Sequence, residues 1–136
     1  MRVLMLLVAF LAWFSAPASA GEEVAAAQAV IRSQIEAISH DDAVAAYSFA
    51  APAIQSMIAD AGTFMAIVRE HYVPIYRHKA FQFGETSVSD GTIAQEVHII
   101  DADGLPWEGL YTLDQQSDGS MKISGCVLTK APGQPI

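Results

Sequence analysis

Three Asp-Gly pairs, Asp90-Gly91, Asp103-Gly104 and Asp118-Gly119, divide the second half of this chain at intervals of 13 and 15 residues. Asp-Gly suits a tight hairpin because both residues take positive φ at low cost. The stretches between them are rich in Val, Ile, Thr, Phe, Tyr and Trp, and each is long enough for one strand. His78 to Lys130 therefore reads as four antiparallel strands in a meander.

The stretch before them reads as helices. Val24, Ala27, Ile31, Ile35 and Ile38 recur at helical spacing and predict an amphipathic helix over Glu22–Ser39. Asp41 or Asp42 can cap a second helix with Val44, Tyr47, Ser48 and Ala51 inward. Pro52 suits the first turn of a third. Ile54, Met57, Ile58 and Ala61 form its apolar face, and Gly62 is placed to end it. Thr63 can cap a fourth, with Phe64, Ile67, Val68 and His71 inward and Val73-Pro74 as its stop. Helices followed by strands give an α+β chain with the helices on one sheet face.

The first twenty residues carry an arginine, an apolar run from Val3 to Phe14 and the small-residue pattern Ala18-Ser19-Ala20. This is the pattern of a secretory signal cleaved after Ala20, and the run is well short of the ~20 residues that span a bilayer. The expected layout is a signal over 1–20, one domain over 21–130 and a flexible tail over 131–136, in a periplasmic or secreted protein. Residues 21–136 carry six Lys+Arg against fifteen Asp+Glu, a formal charge of −9. Such a surface repels nucleic acid and anionic membranes. Cys126 is the only cysteine, which rules out an internal disulfide. A small buried side chain is the favoured reading for it.

Strand alternation assigns the inner face. Phe81 and Phe83 fall there on the first strand, and Ile93, Gln95, Val97 and Ile99 on the second. Trp107, Tyr111 and Leu113 follow on the third, and Met121, Ile123 and Val127 on the fourth. Glu85 is the one carboxylate near this face. Ala94, Ile100, Leu110, Cys126 and Leu128 fall on the outer face, where a second copy of the chain can dock.

Four residues are candidates for a site. Gln95 is an amide in an apolar row, so it either bonds a core tyrosine or meets a ligand. His71, on an apolar helical stripe, is the candidate acid, base or ligand donor, against a core or rim histidine. Tyr47 and Tyr111 point inward and suit either core packing or a ligand cavity. Tyr72 and Tyr76 flank Pro74, and Arg77 has a surface carboxylate as its expected partner. No paired His or Cys spacing suggests a metal, and no motif suggests a cofactor.

The run from Asp41 to Gln55 (DDAVAAYSFAAPAIQ), with Tyr72-Val73-Pro74-Ile75-Tyr76-Arg77 and Ile123-Ser124-Gly125-Cys126, resembles a family of short exported bacterial proteins catalogued as a domain of unknown function. The element order resembles the wider cone-shaped fold of nuclear transport factor 2, shared by SnoaL-like cyclases, ketosteroid isomerase and scytalone dehydratase. The resemblance implies helices over a curved four-stranded sheet with a pocket between them. It lends no reaction, since the inward Asp base of the isomerase has no counterpart here. The leading expectation is a non-catalytic domain that binds a small apolar molecule or a protein partner. The alternatives are a cyclase, isomerase or dehydratase using His71 with Tyr47 or Tyr111, and a structural dimer.

Overall fold

The computed structural model describes residues 20–131. The expected signal segment except Ala20, and the expected tail except Ala131, lie outside them. The helices are α1 (Ala20–Ser39), α2 (Ala43–Ser48), α3 (Pro52–Met57), α4 (Ala61–His71) and α5 (Val73–Tyr76). The strands are β1 (His78–Ser89), β2 (Thr92–Asp101), β3 (Pro106–Gln115) and β4 (Met121–Lys130). They form one antiparallel sheet in the order β1-β2-β3-β4. The helices bury its inner face.

Only the first Asp-Gly pair makes the tight turn expected of all three. Asp90 (φ 48°) and Gly91 (φ 78°) both sit in the left-handed region between paired Ser89 and Thr92. The later turns are longer, and in each only the glycine has positive φ. Aspartate acts there as an acceptor. Asp101 takes the backbone N–H groups of Asp103 and Leu105 and the Trp107 indole N–H, and Asp118 takes the backbone N–H and the hydroxyl of Ser120. Side-chain acceptors substitute for backbone geometry in such turns.

α1 buries Ala27, Ile31, Gln34, Ala37 and Ile38. Gln34 shares that face because it lies three residues after Ile31 and four before Ile38, and its amide donates to the Ala46 carbonyl at 3.1 Å. The short helices depart from expectation. Asp42 is the cap of α2, accepting from Ala45 N–H. The buried position of α2 is Ala46, whereas Val44 is 74% exposed and Ser48 lies outward. α3 ends at Met57, which is itself 79% exposed. Gly62 belongs to α4, and the cap of α4 is Asp60, which accepts from Thr63 N–H at 2.7 Å. Helices of one or two turns show too few periods to fix a phase. Pro74 starts a further helical turn, α5, after the break at Tyr72.

Of the sheet's three register shifts, two bear on the faces that follow. In β1, Gly84 and Glu85 stand opposite Glu96 alone, so Thr86 regains the inner side and Glu85 is exposed. In β4 the pairing moves from Leu113–Ile123 to Thr112–Gly125, which leaves Ser124 as an extra residue. An inserted residue reverses the alternation beyond it. Cys126 and Leu128 consequently pack on the core, and Val127 is 62% exposed. This reverses the faces expected for all three. The bulge lies where Phe49–Ala51 joins the free edge of β4, with Ile123 N–H bonded to Phe49 O and Ala51 N–H to Ile123 O, each at 2.8 Å.

Candidate functional site

A cavity of about 250 Å³ lies between the helices and the inner face of β3 and β4. Tyr111, Ile123, Ser124, Gly125 and Cys126 form its floor. Gln34 and Ile38 of α1 form one wall, and Phe64, Ile67 and Val68 of α4 with Tyr72 and Ile75 form another. Ile54, Met57 and Ile58 at α3 border the remaining side. The β4 bulge shapes this floor, since it turns Cys126 inward beside its cross-strand partner Tyr111.

Among the described residues, no acidic, basic or imidazole side chain lines the cavity. The polar groups that do are mostly committed. Gln34 bonds the Ala46 carbonyl, and the Tyr72 hydroxyl donates to the Cys126 carbonyl at 3.3 Å. Tyr111 is 2% exposed, and burial pushes its hydroxyl well above the ordinary tyrosine range. Burial likewise pushes the Cys126 thiol up to about 12, against a smaller opposing pull from the neighbouring Tyr111 hydroxyl. Both groups are therefore protonated at neutral pH. Cys126 is no thiolate nucleophile there.

Of the four sequence candidates, Tyr111 alone reaches this cavity. Gln95 is fully buried, but in the sheet beside the β1 bulge. Its NH₂ donates to the carbonyls of Gly84, Glu85 and Glu96, and its oxygen accepts from Thr86 Oγ1 and Gln28 Nε2. Tyr111 is its cross-strand neighbour, yet none of these hydrogen bonds goes to a tyrosine, and Gln95 does not line the cavity. The Tyr47 hydroxyl donates to the carbonyls of Ile58 and Gln55, tying α3 to α2. His71 is exposed, contrary to its expected inward placement, because the buried line of α4 runs through Phe64, Met65 and Val68. It borders a separate surface cleft with Pro74, Arg77, Asp101 and Trp107. His71, Tyr47 and Tyr111 do not converge on one space.

A second polar cluster clips the α1–α2 turn to α4 and α5. Asp41, at φ 54°, accepts from the Tyr76 hydroxyl at 2.6 Å and from Arg69 at 3.2 Å. Arg77 reaches its other oxygen at 3.7 Å and stacks 3.7 Å over the Tyr76 ring. The Tyr76 hydrogen bond, then Arg69 and Arg77, hold the Asp41 carboxyl below its ordinary 3.8. A carboxyl lowered by folding adds stability above the unfolded value, and that stability is lost as pH falls through the folded one. Asp41→Asn is thus expected to be less stable than wild type at pH 7 in urea titrations, with the gap closing below pH 3.8. A gap of constant size across that range would contradict the linkage.

Helices followed by a four-stranded meander, with an apolar cavity between them, define an α+β domain of the nuclear transport factor 2-like fold. A solved protein similar to it is an NTF-2 like protein of unknown function from Burkholderia xenovorans LB400, at a TM-score of 0.52 and 13% identity. The match covers 83% of this chain and 90% of that one. The likeness concerns the fold alone. The family model described as "Domain of unknown function (DUF4864)" matches residues 20–136, and the chain belongs to that family. No curated protein matches the chain.

Proposed function

We propose that this domain, exported by its N-terminal signal, binds a small uncharged apolar molecule in the cavity over Tyr111 and performs no reaction on it. The observation that carries the reading is the lining, which is mostly apolar and, among the described residues, holds no carboxylate, cationic side chain or imidazole. Binding pockets are mostly apolar with few polar anchors. A dry apolar cavity of about 150 Å³ suffices for benzene, so about 250 Å³ leaves room for a ring with a short substituent. The cyclase, isomerase or dehydratase alternative needs a base at the reacting atom, and His71 stands outside.

Native mass spectrometry of protein purified from its own compartment tests this. One retained small molecule per chain is expected, and it should be lost in Ile67→Trp, whose larger ring takes up space within the cavity that Ile67 lines. A wild-type chain that retains no mass and takes up no ethylbenzene in solution would overturn the proposal.

A second reading, association with another copy through the outer sheet face, has one favouring observation. Leu110 and Val127 are cross-strand partners, 40% and 62% exposed, beside Glu96, His98 and Glu108. The inward turn of Cys126 and Leu128 leaves this patch smaller than the sequence suggested. A strict monomer by light scattering at high concentration would remove the reading.

A further inference from the structure

The cavity's polar equipment narrows the kind of molecule it takes, on the footing of the binding role just proposed. Tyr111 is almost fully buried, its hydroxyl has the thiol of Cys126 as a weak neighbouring partner, and it holds no oxygen acceptor among the hydrogen bonds of the described residues. The two residues face each other across β3 and β4, and both belong to the cavity floor. Sulfur is a weak acceptor. Among the hydrogen bonds of the described residues, the other polar liners already hold oxygen acceptors: Gln34 holds the Ala46 carbonyl, Tyr72 the Cys126 carbonyl and Ser124 the Thr112 hydroxyl. Tyr111 is the liner that gains by exchanging its present partner for an oxygen, because a buried hydroxyl bonds a carbonyl better than a thiol.

We infer that the ligand is a neutral molecule with an apolar body and one hydrogen-bond-accepting oxygen, a ketone, aldehyde, ester or ether, set against the Tyr111 hydroxyl. A carboxylate or phosphate does not suit the site. No cation lines the cavity to pair with it, and the chain's formal charge of −9 over residues 21–136 opposes its approach. An amine does not suit it either, since no carboxylate lines the cavity and Tyr111 and Cys126 stay protonated.

Three probes of similar size separate the possibilities: ethylbenzene, acetophenone and benzoate, titrated into the protein at pH 7 and followed by amide chemical shifts. Acetophenone is expected to shift Tyr111, Cys126 and Val68. Benzoate is expected to bind at least about a hundredfold more weakly, because its charge would be buried unpaired. Tyr111→Phe is expected to weaken acetophenone about tenfold relative to ethylbenzene, the worth of one neutral hydrogen bond. Cys126→Ala, which releases the hydroxyl from its present partner, is expected to strengthen acetophenone, and it serves as the readout if Tyr111→Phe does not fold. Benzoate binding as tightly as acetophenone would overturn the inference while leaving the cavity in use. So would Tyr111→Phe weakening acetophenone and ethylbenzene alike, or Cys126→Ala weakening acetophenone. Failure of ethylbenzene itself to bind would instead overturn the underlying binding role, and the inference with it.

Discussion

Gln95→Leu is expected to lower the unfolding free energy by about 3 kcal/mol in urea titration, because each buried polar group left unpaired costs ~1–3 kcal/mol. Leucine nearly matches glutamine in volume, so the loss comes from hydrogen bonds and not from a void. The affected groups are the carbonyls of Gly84, Glu85 and Glu96, the Thr86 hydroxyl and the Gln28 amide. Some of them regain water at the β1 edge, which keeps the estimate below the full sum. A change of this size is a large share of the ~5–15 kcal/mol that holds a domain together. A loss under about 0.5 kcal/mol, ordinary for a surface substitution, would mean that the bulge at Gly84-Glu85 is held by something else.

The second large effect concerns the phase of β4. Leu128→Asp is expected to cost about 3 kcal/mol, since a carboxylate would replace an apolar side chain packed on the core. Val127→Asp, one residue earlier, is expected to stay within ~0.5 kcal/mol in dilute solution, as surface substitutions do. The contrast depends wholly on the extra residue Ser124. If strict alternation ran through the strand, as its sequence suggests, the two results would be exchanged. Chemical denaturation of both variants decides between the two phases.

Those two predictions mark where sequence reading reached and where it stopped. The meander, its four strands and the helical cover were legible because the Asp-Gly punctuation and the α1 period are long-range, redundant signals. On β2 and β3 the inner face follows the expected alternation through Ile93, Val97, Ile99, Tyr111 and Leu113, all buried. The bulge at Ser124 was not legible. Ser124-Gly125 reads as an ordinary pair within a strand, and the register shift comes from the partner strand and from Phe49–Ala51 on the far edge.

The same limit governed the site. Alternation places Tyr111 inward as observed because Tyr111 lies beyond no bulge of its own strand, whereas it sets Cys126 outward because Cys126 follows the extra residue Ser124. His71 was misplaced for a different reason. α4 is only 11 residues long, and its apolar set Phe64, Met65, Ile67 and Val68 fits a stripe that either includes or omits position 71. Gln34 was readable from its spacing to Ile31 and Ile38, but an amide at a core position is easily passed over as solvent-facing. The Asp41 cluster was half legible. Either of two adjacent aspartates could cap α2, and only the structure assigns the cap to Asp42 and frees Asp41 for Tyr76, Arg69 and Arg77.

The reading as a whole requires the bent meander and its helical lid to leave a hollow over Tyr111 that admits an uncharged guest. A crystal of the protein exposed to ethylbenzene vapour tests it most directly. The account predicts density for one ring bounded by Tyr111, Val68 and Ile123, with the surrounding side chains little moved. A space closed by Phe64 and Met57, with no guest density beside Tyr111, would contradict it.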